Sequence, residues 1–259
     1  LVNPVIAVSD ADKHLTSLVY SGLMRRSEKG DFVEDLAASY TVSPDGLTYN
    51  FTIKKNAGFH DGKEVTADDI VFTINKIKDP IIKSPKKAAW DGITVEKVSD
   101  DKVVFKLKQP YISFLDNTTV GIIPSHVWQD VKDSEFGISP LNIKAVGSGP
   151  YKIKSVTKNK DGIPVEYNLK SFSNFTLGNP HIKEITIISY PNEKDLIQAL
   201  VSGSVNQAGG ISPKNAKDLS DSSYTIHTSS TPRMFGIFYN SSNKKLFAYA
   251  KVEIAFKYA

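Results

Sequence analysis

His60, Asp61, Asp68 and Asp69 bring an imidazole and three carboxylates into one short stretch, the groups that general acid–base catalysis or a divalent metal would use. A hydrolase using His60 with Asp61 or Asp68 is the reaction such a cluster would support. No nucleophile is placed beside it in the sequence, and local structure accounts for each polar residue. Asp61-Gly62 reads as a turn, because Gly tolerates positive φ and the Asp side chain can accept from following amides. Thr66 stands three residues before Asp69, the spacing of a helix cap, while Asp68 and Asp69 put negative charge on the positive helix end. This predicts a helix from Ala67, with Ile70, Val71, Ile74 and Ile77 as its apolar stripe.

Other chemistries have less to draw on. The five histidines, His14, His60, His126, His181 and His227, form no i, i+4 pair, so a protein-held zinc or other resident metal is not expected, and no cofactor is implied. The absence of Cys removes disulfides and thiol nucleophiles and is compatible with an export compartment. The formal charge of +4 comes from 32 basic and 28 acidic residues spread along 259 positions, which gives no footprint for nucleic acid. No Gly-x-x-x-x-Gly-Lys-Ser/Thr phosphate loop occurs. No apolar run approaches the roughly 20 residues of a membrane-spanning helix. The start at Leu1 suggests a processed or trimmed chain, and the helical pattern over residues 252–259 suggests that something follows it.

The elements that must position these residues are readable from period and punctuation. Asp12, followed by Leu15, Leu18, Val19 and Leu23, predicts a helix capped by Asp12 and ending near Gly22. Ser43-Pro44-Asp45-Gly46 precedes alternating Tyr49, Phe51 and Ile53, a hairpin with one buried face. Val103, Phe105 and Leu107 form a second hairpin with the strand near Val95 to Val98. Gly147-Ser148-Gly149-Pro150 breaks the chain before a strand with Tyr151 and Ile153, answered by Val165, Tyr167 and Leu169 across Asp161-Gly162. A strand over residues 185–190, a helix over 192–202 stopped by Gly203, and extended chain over 205–208 predict a crossover and a partly parallel sheet. Ser212-Pro213 opens a short helix, and residues 233–240 read as a buried strand.

These motifs, taken in order, resemble the family 5 extracellular solute-binding proteins, the dipeptide, oligopeptide and nickel receptors of ABC importers. The resemblance runs through Asn3-Pro4, Asp12, Leu18-Val19-Tyr20-Ser21-Gly22-Leu23, Asp35-Leu36-Ala37, Ser43-Pro44-Asp45-Gly46 and the stretch from Phe59 to Val71. It continues with Ile123-Pro124-Ser125-His126, Gly147-Ser148-Gly149-Pro150-Tyr151, Asn174 and Ala199-Leu200-Val201-Ser202-Gly203. Each piece is weak alone; their order and spacing are specific. Asn206 stands where the family usually has Asp, and Glu253 where it commonly has Arg. The resemblance covers only the first half of family members, which continue into a second ligand-binding lobe.

The resemblance implies an α/β fold of the type II periplasmic-binding kind: a discontinuous first lobe over residues 1–25 and 149–259, with mixed sheet, an inserted α+β subdomain over 26–148, and no second lobe. It implies a substrate-capture protein, not an enzyme, which closes over a peptide or chelated metal outside the cytoplasmic membrane and delivers it to the permease subunits of an ABC importer. The location would be periplasmic or extracellular, free or lipid-anchored. The peptide relatives carry the carboxylate for the peptide amino terminus in the second lobe. A non-transport sensor or interaction scaffold is the alternative, and self-association through an exposed interlobe face is a further expectation. The residues expected to face ligand are Ser9, Asp10, Lys13 and His14 before and within the first helix, Lys87 and Trp90, Thr119, and Arg233 and Tyr239 near the hinge. Trp90 offers apolar area and one donor, Lys87 a cation, and Arg233 a bidentate carboxylate contact. The Phe59 to Val71 stretch is expected to be scaffold, away from the ligand.

Overall fold

The computed structural model describes residues 1–220 and 224–228. Two compact units divide the chain, residues 1–190 and 191–259. Arg233, Tyr239, the strand expected over 233–240 and the helix expected over 252–259 lie outside the described residues.

In the first unit, helix α1 spans Asp10–Val19. Its cap is Ser9, whose side chain accepts from the Asp12 amide, and not Asp12 as the spacing predicts. A short pair of strands follows, β1 (Met24–Arg26) and β2 (Phe32–Glu34). The two predicted hairpins, β3 (Ala37–Val42) with β4 (Thr48–Ile53) and β5 (Ile93–Ser99) with β6 (Lys102–Leu107), share one antiparallel sheet in the order β3-β4-β6-β5. The two short turns set each hairpin, but only tertiary pairing of Tyr49 with Phe105 and Phe51 with Val103 joins them.

Helix α2 (Ala67–Lys78) packs on this sheet with Ile70, Thr73, Ile74 and Ile77 buried. The aromatic core beside it is tight: Phe105 lies 5.7 Å from Phe51, 5.4 Å from Phe114 and 5.9 Å from Trp90, ring centre to ring centre. Two single-turn helices, α3 (Phe114–Asn117) and α4 (Ser125–Trp128), lead to a third antiparallel group, β7 (Tyr151–Lys158), β8 (Pro164–Ser171) and β9 (Glu184–Ile188).

The second unit holds α5 (Glu193–Val201), capped by the Asn192 side chain on the Asp195 amide, and α6 (Pro213–Ser220). Residues 205–208 form no strand, so the crossover expected there is not completed among the described residues, where every strand pair is antiparallel. Val205 instead donates its amide to Ala199 O and is drawn into the end of α5.

Candidate functional site

The acid–histidine stretch builds a junction, and its groups are consumed in doing so. The Asp69 carboxylate, almost fully buried, accepts the Thr66 amide at 2.9 Å, the Thr66 hydroxyl at 3.1 Å and the Ser125 amide at 2.8 Å. One turn on, the Thr73 hydroxyl accepts the Ile123 amide at 3.0 Å and donates to Asp69 O. Helix α2 is thereby stitched to residues 123–125. His60 joins the same turn to residues 147–149: its amide donates to Gly147 O at 2.8 Å, its Nδ1 accepts the Gly147 amide, and its Nε2 lies 3.0 Å from Gly149 O. That arrangement defines a neutral ring with the proton on Nε2. Burial lowers the His60 pKa to about 4, opposed by the Gly149 carbonyl. His126 pairs with Asp61 at 2.7 Å, and Asp68 with Lys97 at 2.6 Å. Three widely separated motifs thus meet in one hydrogen-bonded knot, with no group of three metal ligands gathered among the described residues.

The knot holds the end of α1 in place. Gly149 donates its amide to Val19 O at 2.9 Å, and Tyr20 leaves the helix in extended conformation. From there the chain runs beside residues 118–122, with Met24 donating to Thr118 O at 3.2 Å and Ile122 to Ser21 O at 2.9 Å. Gly22 is required at this crossing, since a Cβ there would stand 2.7 Å from the Thr119 carbonyl. A second tether, Ser84 Oγ donating to Val5 O at 2.6 Å, brings residues 84–90 to the same side, and Asn117 Nδ2 donates to Ala89 O at 2.6 Å.

Between these segments lies an open cavity of about 920 Å³. Its walls come from α1 (Lys13, Thr16, Ser17), the chain that leaves it and enters β1 (Tyr20, Gly22, Arg25), the 85–90 segment (Lys86, Ala89, Trp90) and the 116–121 loop (Asn117, Thr119). A volume of this size suits a short peptide or another small ligand better than a single ion.

Of the residues singled out from the sequence, the structure brings Lys13, Trp90 and Thr119 to this cavity. Trp90 is a floor, only 1% exposed and packed on Phe105 and Phe114. Thr119 donates its hydroxyl to Asp116 O at 2.7 Å. Ser9 serves α1 as its cap, and Asp10 reaches the Lys13 ammonium at 3.3 Å. Exposed His14 accepts the Ser17 hydroxyl on its backbone carbonyl. Lys87 opens the 3-10 turn Lys87–Trp90 and is not among the lining residues, while its neighbour Lys86 is.

Lys86, Tyr20, Arg25, Asp35 and Phe175 line the cavity without having been singled out. For Tyr20 the motif Leu18 to Leu23 held a signal. For Lys86 against Lys87, sequence offers none, because a one-residue difference in an irregular segment reverses which side chain faces in. Asp35 is buried, which pushes its carboxyl above the usual range, against the Thr176 hydroxyl at 3.1 Å and the charges of Arg25 and Lys54. Arg26 is committed to Asp116 and to Gly30 O, with its guanidinium 4.3 Å above the Phe32 ring.

An α/β lobe with an open, mixed apolar and charged cavity defines a ligand-binding architecture, and comparison with known proteins places it among the type II periplasmic binding proteins. The oligopeptide-binding protein AppA of Bacillus subtilis, solved with a nonapeptide, superposes with a TM-score of 0.72 at 29% identity, over 78% of this chain and 40% of that one. NikZ of Campylobacter jejuni, solved with Ni(L-His), superposes with a TM-score of 0.70 at 28% identity, over 79% and 40%. In sequence, AppA of B. subtilis (strain 168) is 32% identical over 80% of this chain and 38% of its own length. A probable peptide-binding protein, YejA of Agrobacterium fabrum, is 30% identical over 79% and 34%. The family model for bacterial extracellular solute-binding proteins, family 5 (middle region), matches residues 31–259. The chain belongs to that family of bacterial extracellular solute-binding proteins, which are binding proteins and not enzymes. It spans well under half the length of these relatives.

Proposed function

We propose that this chain supplies one wall of the ligand cleft of a solute-binding receptor, which captures peptides outside the cytoplasmic membrane and hands them to the permease of an ABC importer. The observation that carries this reading is the open cavity over Trp90, built where α1, the Trp90 segment and the 116–121 loop converge in a chain whose relatives include a peptide-bound AppA. On this reading residues 1–25 and 149–259 form the lobe core and 26–148 an inserted subdomain. The location is periplasmic or extracellular, with a lipid anchor as one means of retention; no helix among the described residues is long and apolar enough to cross a membrane. A chelated metal is the second reading, favoured by the likeness to NikZ with its Ni(L-His).

A wall without its opposite face gives weak binding, so mixed short peptides should give little calorimetric heat with the 259-residue chain and still perturb amide resonances at millimolar concentration. Shifts confined to Lys13, Tyr20, Trp90, Thr119 and their neighbours are the expected outcome. Shifts located elsewhere, or none, would refute the assignment of the cleft. The same exposed face should promote self-association, and a purely monomeric sedimentation profile at high concentration would remove that part of the proposal.

A further inference from the structure

The charges around the cavity do not cancel locally. Arg26 is held by Asp116, Lys54 donates to the Asp35 backbone carbonyl, and the charge of Arg25 acts through space on the buried Asp35 carboxyl. Lys13 and Lys86 remain. The Lys13–Asp10 contact joins two side chains that are each more than half exposed, the kind of pair that contributes little and exchanges readily. Lys86 is partly buried, and among the described residues its ammonium makes no hydrogen bond or ion pair. Burial pushes its pKa down, and the charge of Lys13 pushes it further. A partly desolvated ammonium facing a like charge is unfavourable until an anion neutralises it. The hydroxyls of two other lining residues, Thr16 and Tyr20, are buried with no partner among the described residues. Buried polar groups without a partner are uncommon.

Building on the reading of this cavity as the ligand cleft, we propose that Lys13 and Lys86 form a carboxylate-holding corner at its α1 end. The ligand class is a peptide that presents a carboxylate there, either an acidic side chain or a free C-terminus. The two lysines approach from different segments, α1 and the loop tethered by Ser84 to Val5, so they can flank one anion. Ammonium groups act as point charges and impose little geometry, which fits recognition of charge more than of one residue type.

The test uses the isotope-labelled 259-residue chain, titrated in low salt with trialanine, its C-terminal amide, triglutamate and trilysine, and followed by amide shifts. Triglutamate should bind at least about fivefold more tightly than trilysine, the scale of one or two partly screened charge contacts. The K13Q/K86Q double variant should abolish that preference, and K86R should keep it. Loss of affinity on amidating trialanine would identify the terminal carboxylate as the partner; equal affinity would identify the side chain. Amide dispersion like that of the original chain verifies that each variant is folded. Equal binding of triglutamate and trilysine together with equal binding of trialanine and its amide, or a preference that survives in K13Q/K86Q, would overturn the proposal while leaving the cleft reading intact. Failure of every peptide to shift the cavity amides would overturn both.

Discussion

Substituting Gly147 by Ala tests the knot that positions α1. A Cβ at Gly147 would stand 2.0 Å from Val19 O and 2.8 Å from Val19 C, where ordinary contact begins near 3.4 Å. The obstacles are backbone atoms at the end of a helix, so no side chain can rotate away. The segments must separate by more than an ångström. That strains or breaks both Gly147–His60 hydrogen bonds, one to the His60 backbone and one to its ring, and the Gly149–Val19 bond. Three hydrogen bonds at about 0.5–1.5 kcal/mol each, together with an overpacking cost of about 1–3 kcal/mol, give a loss of about 2.5–7.5 kcal/mol. Both tryptophans, Trp90 and Trp128, lie in the first unit, so fluorescence in urea reports on the unit that contains the knot. With a urea dependence of about 2–3 kcal/mol per molar, the midpoint should fall by more than about 1 M. Gly137→Ala is the control: nothing lies within 4 Å of its added Cβ and its φ is not positive, so the midpoint should stay put. Coincident midpoints for G147A and G137A would refute the close-approach argument.

His60 is neutral in the fold with a pKa near 4 against 6.5 for the free group, so the unfolded chain takes up the proton first as pH falls. Stability should be unaffected by His60 above pH 6.5 and decline between about pH 6.5 and 4, by on the order of 3 kcal/mol in all; H60Q should flatten that segment of a stability-versus-pH curve, and an unchanged slope would count against the buried neutral ring. Asp69→Ala strips three donors of their acceptor, two of them backbone amides, and should cost about 2–4 kcal/mol by urea unfolding, with D69N recovering part of it. Trp90→Ala should cost about 3–5 kcal/mol because the ring is enclosed by Phe105 and Phe114, and a melting temperature close to that of the original chain would show that Trp90 is not the packed floor described here.

The local elements were legible because each is set by neighbours in the chain. Asp61-Gly62, Thr66 with Asp69 and the Ile70 to Ile77 stripe specify a turn, a cap and a helix face whatever surrounds them, and helix α2 begins at Ala67 as the spacing requires. The hairpins around residues 43–46, 100–101 and 161–162 obey the same logic of turn residues and alternation. Where two local solutions compete, sequence decides poorly: Ser9 and Asp12 are both good caps, and Ser9 holds the position because its oxygen meets the third amide of α1.

The order of motifs carried the family, and it also carried the expectation that the acid–histidine stretch is scaffold. What the stretch holds together was not readable. His60 finds Gly147 and Gly149, Asp69 finds Ser125, and Asp61 finds His126 only when chain segments more than fifty residues apart fold side by side. The cleft is of the same kind. Composition and spacing showed Trp90 and scattered lysines, but the identity of the wall, with Lys86 in place of Lys87 and with Tyr20 as well as Lys13, follows from where α1 ends and how the 84–90 segment is tethered. Secondary structure is a local agreement between side chain and backbone; a cavity is a boundary condition on several segments at once, and only their packing decides which side chains it contains.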